Sequence, residues 1–406
     1  MPNSSPKEDE NDVPISHRCR DVCAFLRQPF RMLQCLSVKH QPLAKAASVM
    51  HLIRFASTGF RALAEICFEP SPGVNVICGD NAQGKTSLLE AILFAATARS
   101  HRTNIETELV KHGENCFQLR AQAARRDREI AIEANWWKGV KRFKVNGVLQ
   151  TRISDILGKL NAVLFSPEDI ILVKGTGAHR RRFLDMELSQ ISPAYLNALQ
   201  QYRQALRQRN EILRGEAPDP ELLDLWDAQL ARHGDVLMRE RETFVDDLAK
   251  RAAQAYGRIA DGERLAVTYQ PDVQSTEPLG AILKKTRPSD MRRGTTTRGP
   301  HRDDIFIEIA GQAARNFGSQ GQQKTAAVCL RLAELELVKE RTGEYPVLML
   351  DEVLSELDER RSRLLFDTID AQVQCLITTA TLTKQIALIR REDAVYQIRR
   401  GILEKQ

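Results

Sequence analysis

The sequence has no long apolar run and few residues able to form stabilising disulfides. Its longest nearly apolar stretch, residues 91–98, is far shorter than the roughly 18 residues that cross a bilayer, and the N-terminus lacks the apolar core of a secretory signal. Eight cysteines are scattered along 406 residues, and two lie in or beside predicted core strands. This usage favours reduced thiols over a disulfide framework. We therefore expect a cytoplasmic protein without a membrane segment.

The charge balance is mildly basic, with a net charge of +6 and a pI near 8.9. Arginine is clustered rather than spread, so an acidic polymer is a reasonable partner to test. The length predicts two or three domains, each large enough to bury a core. Residues 1–49 are polar, then Arg-rich and without sustained periodicity, which predicts a weakly ordered extension. Because the folded pattern starts at Met50, we expect Met50 to be the true initiator.

The clearest motif follows an apolar run of strand length, residues 74–78. The loop after it has the form G-x-x-x-x-G-K-[ST], and residues with helical apolar spacing come next, as in a P-loop. Lys85 is expected to reach the β- and γ-phosphates of ATP, and Thr86 to give its hydroxyl to Mg²⁺. The predicted nucleotide-binding residues of this segment are Gly79, Asp80, Asn81, Ala82, Gln83, Gly84, Lys85, Thr86 and Ser87.

The middle of the chain predicts an antiparallel meander and then helices. Strands are expected at 116–121, 129–134 and 142–145, another at 161–165, and a capped helix start at Ser166. Two helices with apolar residues at three-and-four spacing follow, separated by a break at 215–220. Residues 277–297, rich in Pro, Lys, Arg and Thr, predict a loop that returns to the first domain.

Two further motifs lie near the C-terminus. Ser319, Gly321 and Gln322 begin a helix and predict a second anion site, although an ordinary helix cap also explains them. The apolar residues 347–350 end at Asp351 and Glu352, typical of a buried parallel strand whose acids lie at the ligand-binding edge, although a solvated strand end is the alternative. Asp351 is expected to hold Mg²⁺, and Glu352 to polarise the attacking water. Asp358 closes a Ser-x-Leu-Asp segment that is assigned to the same nucleotide site.

The order of these motifs, from the P-loop to Asp358, is that of ATPases of the ABC class. We therefore predict an α/β fold: an ABC-type P-loop ATPase head with an antiparallel β-subdomain and an inserted helical lobe. The predicted divisions are the extension 1–49, the first half of the head at 50–178, the lobe at 179–285 and the second half of the head at 286–406.

Within that class the chain resembles the RecF family of bacterial recombination mediators from residue 50 to the C-terminus. Three features depart from the family pattern: Ala82 where Gly is usual, Thr176-Gly177 in place of a small residue followed by Pro, and the leader of 49 residues. The segments that carry the resemblance are 79–86 with 89–92, 99–103, 166–169 with 173–175, 180–185, 299–304 and 351–358.

The resemblance implies a head that binds ATP, dimerises head to tail around two nucleotides and hydrolyses slowly in a DNA-dependent manner. Ser319 of one protomer would then contact the nucleotide held by Lys85 of the other. By resemblance, the partners are gapped DNA with single-strand/double-strand junctions, RecR and RecO, and the outcome is loading of RecA during repair.

Basic residues supply candidates for DNA contact, although each alone is more often a solvated surface residue. No pattern suggests base readout, so we expect contacts to the DNA backbone with strong salt dependence. For Trp136 and Trp137, packing is favoured over stacking on bases. The candidates are Arg125, Arg126, Arg128, Lys138, Lys141 and Arg142 on the meander, Arg180, Arg181 and Arg182 at the start of the lobe, and Arg292 and Arg293.

Two alternatives belong to other functional classes. The motor subunit of a membrane transporter would show a His after the strand at 376–379 and a much shorter gap between Lys85 and Ser319. A structural chromosome protein of the SMC type would need a coiled-coil arm of hundreds of residues, which this sequence lacks.

Overall fold

The computed structural model describes residues 50–406 apart from 127, 261, 275–276, 357–358, 370 and 381–393. The predicted extension 1–49 and Asp358 lie outside the described residues. The strands are β1 (His51–Thr58), β2 (Ile66–Phe68), β3 (Val74–Cys78), β4 (Cys116–Arg125), β5 (Arg128–Trp137), β6 (Val140–Val145), β7 (Val148–Gln150), β8 (Ala162–Phe165), β9 (Leu265–Gln270), β10 (Asp304–Ile309), β11 (Gln312–Ala313), β12 (Val347–Asp351), β13 (Cys375–Thr379), β14 (Ala394–Arg399) and β15 (Ile402–Lys405). The α-helices are α1 (Lys85–Thr97), α2 (Ile170–Lys174), α3 (Gly177–Ile191), α4 (Pro193–Leu213), α5 (Pro220–Ile259), α6 (Leu279–Arg293), α7 (Ala314–Phe317), α8 (Gln320–Thr342), α9 (Val353–Glu356) and α10 (Glu359–Thr368).

A mostly parallel sheet with the order β15-β14-β3-β13-β12-β8 forms the centre of the fold. Its neighbouring strands pair in parallel, except that β15 is antiparallel to β14. The P-loop strand β3 pairs with β13, and β13 pairs with the acid-ended strand β12. The carboxyl ends of these strands therefore meet at one edge, where open α/β sheets bind ligands.

The parallel sheet separates two hydrophobic cores, which explains why β12 is apolar throughout. Leu348 and Leu350 belong to the core shared with helices α3, α4, α5 and α8. Val347 and Met349 belong to the other core, together with α1 and the antiparallel strands. Because successive side chains of a strand point to opposite faces, a strand buried on both faces needs a continuous apolar run.

The predicted meander is confirmed as part of a second, antiparallel sheet with the order β2-β1-β4-β5-β6-β7. Buried and partly exposed residues alternate along β4 and β5, as expected for a sheet with one face on a core. Trp136 is buried and stacks on Phe117 with the ring centroids 6.1 Å apart. The prediction that Trp136 packs rather than contacts bases is therefore confirmed.

The two predicted helices of the lobe are α4 and α5, and both begin at residues suited to that position. Ser192 accepts a hydrogen bond from the Tyr195 N–H, Asp219 accepts from Glu221 and Leu222, and a proline opens each helix. The prediction of a capped turn at Ser166 is also confirmed, with a reciprocal capping box between Ser166 and Asp169. The limits of the lobe as a domain stay a prediction.

The predicted loop at 277–297 is wrong, because most of it forms helix α6. Leu279, Ile282 and Leu283 are buried on one side of this helix, in the core that also contains α5. Asp290 is completely buried and accepts a hydrogen bond from Arg209. Charged residues and Pro288 interrupt the apolar pattern of this helix in the sequence, so no local signal predicts it. The helix is stabilised mainly by packing against the rest of the fold.

Among the helices of the described residues, none combines the length and the apolar character that crossing a membrane requires. The five cysteines in this part of the chain form no disulfide, in agreement with the sequence prediction; they are Cys67, Cys78, Cys116, Cys329 and Cys375.

Candidate nucleotide site

The P-loop connects β3 to α1 and is hydrogen-bonded to the turn between β14 and β15. Gly79 lies so close to this strand pair that an added Cβ would be 2.4 Å from the Ile398 carbonyl oxygen. Gln83 accepts a hydrogen bond from the Gly401 N–H (3.0 Å) with its carbonyl and one from the Arg400 N–H (2.6 Å) with its side chain. Sequence reasoning missed this turn, because nothing local in residues 399–402 indicates a P-loop contact.

The tip of the P-loop is exposed while its base is buried. Asp80, Asn81 and Ala82 are exposed, whereas Gly84 and Lys85 are buried and begin α1. Ala82 and Gly84 both have positive φ angles, 64° and 107°, so the backbone makes the turns for which glycine is favoured. Such a turn before a helix N-terminus directs backbone N–H groups toward an anion.

Lys85 lies within the concave side of the loop. Its Nζ donates to the carbonyl oxygens of Gly79 (2.5 Å) and Asp80 (2.9 Å) and lies 3.0 Å from Glu352 Oε1. The ammonium group is therefore surrounded by loop oxygens and one carboxylate. Ser87, the last predicted residue of the segment, is buried in the first turn of α1.

Asp351 joins the P-loop helix to two neighbouring strands. Its Oδ1 accepts hydrogen bonds from Thr86 Oγ1 (3.1 Å) and Thr378 Oγ1 (2.7 Å). The pKa of Asp351 is raised above its ordinary value, mainly by burial and in part by the charge of Glu352. The hydrogen bonds from the Thr378 and Thr86 hydroxyls oppose this shift. The hydroxyl of Thr86 beside a buried carboxylate forms the hard-oxygen donor pair that Mg²⁺ prefers. These two residues therefore fit the predicted metal site.

Glu352 follows β12 with an unusual backbone. Its φ is 54°, and its N–H donates to the Thr378 carbonyl oxygen at 3.2 Å. A positive φ in a residue with a side chain is uncommon and costs of order 1 kcal/mol, so the surroundings must hold it. Thr378 holds both acids, since it contacts Asp351 through its hydroxyl and Glu352 through its carbonyl.

Ser319 lies outside this cluster, at the N-terminus of α8. Its Oγ accepts from the Gln322 N–H (3.2 Å), and Gln322 Oε1 accepts from the Ser319 N–H (2.8 Å). The Gln322 amide nitrogen also donates to the carboxylate of Glu263. Ser319 is exposed and Gly321 partly exposed, and in the described residues their hydrogen bonds do not reach the P-loop. The residues of this motif form a capped helix start that is separate from the P-loop and at least partly open to solvent.

Several basic residues predicted to contact DNA are bound to other parts of the protein. Arg125 pairs with buried Glu344 (2.7 Å) and also donates to Gly158 O, and Arg126 donates to Thr342 O. Lys141 pairs with Glu106. These side chains fasten the meander to neighbouring segments.

The other candidates on the meander differ from that group. Arg128 and Lys138 are exposed and Arg142 is partly exposed, and no ion pair to these three is found within the described residues. Lys138 Nζ lies 5.2 Å from the centroid of a Trp137 ring. Arg128, Lys138 and Arg142 therefore remain available for a polyanion.

The three consecutive arginines on α3 have different environments. Arg180 is buried and forms a two-bond pair with Asp304 (2.6 and 2.8 Å), so its role is structural. Arg181 donates to the Asp303 carbonyl oxygen, and Arg182 to that of Ser100, and both are only partly buried. Arg292 and Arg293 are exposed in the last turn of α6 rather than in a loop.

Sequence reasoning gave no role to Glu90, a completely buried acid on the P-loop helix. Its carboxylate accepts two hydrogen bonds from Arg61 (3.1 and 3.0 Å) and one from Ser100 Oγ (2.5 Å). Ser100 Oγ in turn accepts from the backbone N–H groups of Arg102 and Thr103. A charged residue within the apolar stretch 88–96 was the available signal, because a buried acid requires such partners.

Comparison with known proteins supports this geometry. Residues 51–403 match the family described as RecF/RecN/SMC N terminal domain. The chain is 42% identical to the DNA replication and repair protein RecF of Lactobacillus delbrueckii subsp. bulgaricus, over 88% of this chain and 98% of that protein. It is 38% identical to the RecF protein of Halalkalibacterium halodurans, over 88% of this chain and 100% of the other.

Solved structures give the same result. A structure of the recombination mediator protein RecF with ATP, in the RecFOR pathway, superposes with a TM-score of 0.82 at 35% identity, over 90% of this chain and 100% of the other. An SMC head domain from Pyrococcus furiosus superposes with a TM-score of 0.52 at 16% identity, over 88% of this chain and 96% of the other, which shows a shared fold. The predicted ABC-type α/β head is therefore confirmed, and the chain belongs to the RecF family of DNA replication and repair proteins.

Proposed function

We propose that this chain is an ATP-dependent DNA-binding protein of recombinational repair, in which ATP controls assembly of a homodimer. The observation that carries the proposal is the meeting of Lys85, Thr86, Asp351 and Glu352 at one edge of the parallel sheet. In a RecF-family chain, this arrangement is suited to binding and hydrolysing a nucleoside triphosphate.

Each residue of the site has a role that its contacts support. The loop N–H groups and Lys85 bind the phosphates, and Thr86 with Asp351 would hold Mg²⁺, which neutralises phosphate charge when bound. Glu352 lies next to Lys85 and accepts a proton from the attacking water. A phosphate group competes with Glu352 for Lys85, so nucleotide binding frees the carboxylate for this task.

The dimer is proposed from the exposure of the α8 N-terminus. Ser319 and the N–H groups near Gly321 form an anion-binding helix start that faces solvent, while the P-loop exposes its tip at residues 80–82. A nucleotide held between the P-loop of one protomer and Ser319 of the other stabilises the dimer by mass action. Asp358, which follows in the same order of motifs, is proposed to belong to the same nucleotide site. Hydrolysis removes the γ-phosphate contacts and releases the protomers, so ATP acts as a slow switch.

The proposed DNA surface comprises the predicted basic residues of the meander and of α6 for which the described part of the chain shows no carboxylate partner. On the meander these are Arg128, Lys138 and Arg142, and on α6 they are Arg292 and Arg293. Point charges of this kind bind phosphates without reading bases, so gapped or junction DNA is recognised by its structure. RecR and RecO as partners, RecA loading as the outcome and DNA-dependent ATP hydrolysis are proposed from the family.

The ATP switch is tested with Lys85→Ala and Ser319→Ala. Lys85→Ala is expected to lose ATP binding. Ser319→Ala is expected to bind ATP, because its P-loop is intact. It is expected to remain monomeric with ATP in light scattering, because the contact from Ser319 to the partner's nucleotide is lost. Circular dichroism checks the cost of the lost cap, about 1 kcal/mol. Dimerisation of Ser319→Ala equal to that of the natural chain contradicts the proposed interface.

The DNA function is tested separately by gel shift with gapped and intact duplexes, with and without ATP and at two salt concentrations. ATP is expected to increase binding to gapped DNA, and added salt to weaken it strongly. Absence of DNA binding under every condition contradicts the proposed function.

A further inference from the structure

Two motifs that the nucleotide site does not use meet at a cavity of about 260 Å³ between α3, α4, α5 and the turn Pro300–Arg302. The first motif, residues 180–185, contributes Arg181, Arg182 and Asp185. The second, residues 299–304, contributes Pro300 and His301. Helices α4 and α5 add Arg203 and Arg241. Four arginines and one aspartate therefore face a single cavity.

The arginine on α5 is satisfied by the protein itself. Arg241 pairs with Asp185 (2.8 Å) and Asp303 (2.8 Å) and donates to Tyr195 Oη and the Pro300 carbonyl oxygen. This buried network explains the presence of Arg241 without a ligand. The protein's own contacts do not account in the same way for the positive charges of Arg181, Arg182 and Arg203.

Arg181 and Arg182 are cations without a carboxylate partner among the described residues. Each donates to one backbone carbonyl, of Asp303 and Ser100 respectively, while a guanidinium carries five N–H donors. Burial and the charge of Arg241 lower the pKa of Arg181, and the charges of Asp304, Asp303 and Asp185 oppose this shift. The third arginine, Arg203, shares Asp185 with Arg241 and is half exposed.

The other residues that line the cavity are mostly apolar or neutral. Leu199, Leu206 and Leu237 line it together with Tyr202 and His301. His301 Nε2 lies 3.1 Å from the Thr296 carbonyl oxygen, so it carries the proton and Nδ1 accepts from the Tyr202 hydroxyl at 2.7 Å. Burial lowers the pKa of His301, which keeps this part of the lining uncharged.

We propose that this cavity binds a nucleotide unit, with its phosphate against Arg181, Arg182 and Arg203 and its sugar or base against the leucines, Tyr202 and His301. Surplus arginine donors match phosphate oxygens, and the leucines with the aromatic rings of Tyr202 and His301 suit the apolar surface of a nucleoside. A nucleotide of a DNA strand and a free mononucleotide share this chemistry. In the first case the inference rests on the DNA function proposed above.

The test is equilibrium binding to the full chain and to Arg182→Gln/Arg203→Gln. Asp185 keeps Arg241 and Tyr195 in this variant, and its thermal midpoint checks folding. The probes are a fluorescent single-stranded oligonucleotide with a terminal phosphate, the same oligonucleotide without it, and thymidine monophosphate. Thymidine monophosphate is titrated in the Lys85→Ala background, so that the P-loop does not contribute. The matched control is Arg207→Gln, an exposed arginine on α4 that does not line the cavity.

We expect the double variant to bind at least one probe about tenfold or more weakly, because two charged hydrogen bonds are lost, and Arg207→Gln to change by less than about threefold. A loss confined to the phosphorylated oligonucleotide supports capture of a strand end. An equal loss with both oligonucleotides supports internal phosphates, and a loss confined to thymidine monophosphate supports a free nucleotide.

The proposal is overturned if the double variant matches Arg207→Gln with every probe, or if the natural chain binds none. Unchanged oligonucleotide binding by the double variant, without a thymidine monophosphate effect, removes the cavity site and leaves the proposed DNA function intact. If the natural chain binds thymidine monophosphate through the cavity but binds no DNA, the cavity site stands and the proposed DNA function is contradicted.

Discussion

Lys85 Nζ and Glu352 Oε1 lie 3.0 Å apart, so the P-loop and the acid-ended strand β12 are joined by an ion pair. The backbone of Glu352 has a positive φ that Thr378 holds from the next strand. The glutamate is therefore positioned beside the lysine by the sheet rather than by a flexible loop. In the proposed mechanism, a phosphate on Lys85 takes the place of the carboxylate, which couples phosphate binding to proton acceptance through this pair.

Glu352→Gln separates these two roles. The amide cannot accept a proton, so we expect ATP hydrolysis to fall about 10²- to 10⁴-fold. ATP binding is retained, because Lys85 and the loop are unchanged. Phosphate release and equilibrium nucleotide binding measure the two effects. Glu340→Gln, which alters an exposed glutamate paired with Arg251, is the control with normal hydrolysis. Hydrolysis by Glu352→Gln at the natural rate would show that another group accepts the proton.

Gly79→Ala tests the support of the P-loop by β14. The new Cβ would lie 2.4 Å from the Ile398 carbonyl oxygen, which is backbone and cannot rotate away. We expect a loss of about 1–3 kcal/mol in the free energy of unfolding, measured by chemical denaturation, together with weaker ATP binding. Ala82→Gly in the same loop is the contrasting variant: its φ of 64° suits glycine, so it should not destabilise the fold. Equal stability of Gly79→Ala and the natural chain contradicts the close packing.

The elements that could be predicted from the sequence are those whose burial and boundaries determine the pattern of their own residues. The strand β12 is buried on both faces, which requires a continuous apolar run, and the acids after it must then lie at the carboxyl edge. The capped turn at Ser166 and the helices α4 and α5 were equally visible, because caps and apolar spacing are local signals.

Elements that depend on distant partners were not predictable in this way. Helix α6 contains Pro288 and many charges, and it is held by buried contacts to α5 and by the pairing of Asp290 with Arg209. Arg180 and Arg182 look alike in the sequence, but only Arg180 meets a carboxylate, that of Asp304 far along the chain. A run of arginines therefore does not distinguish a structural ion pair from a binding surface.

Arg209→Ala tests the buried ion cluster beneath α6. Arg209 is completely buried and donates to Asp227 (2.5 Å), Asp290 (2.8 Å) and the Thr296 hydroxyl (2.8 Å). Its removal leaves the buried carboxylate of Asp290 without a cation, whereas Asp227 keeps Arg287, so we expect a loss of about 3–5 kcal/mol in the free energy of unfolding. Arg207→Ala, an exposed change two residues earlier on α4, should alter stability by less than about 0.5 kcal/mol. Similar effects of the two variants in urea denaturation contradict the cluster's structural role.

His101 should make the fold sensitive to mild acid. Burial lowers its pKa from 6.5 to about 4, with Glu90 opposing and Arg102 reinforcing the shift. The unfolded chain therefore binds a proton between pH 6.5 and 4 while the folded chain does not, so stability falls as pH decreases through this window. We expect the natural chain to lose about 2–3 kcal/mol more than His101→Gln between pH 7 and 4, since one pKa unit corresponds to about 1.4 kcal/mol.

Urea denaturation of the natural chain and of His101→Gln across this pH range measures the difference in their free energies of unfolding. The contributions of other titrating groups cancel in this difference, because both chains contain them. The same comparison with His112→Gln, at an exposed position, controls for replacement of any histidine. Parallel stability curves for the natural chain and His101→Gln contradict the burial of a neutral imidazole next to Glu90. A fall in stability that is equally steep for the natural chain and His112→Gln, and shallower for His101→Gln, shows that acid acts on the Arg99–Thr103 segment, where Ser100 holds Glu90 of the P-loop helix.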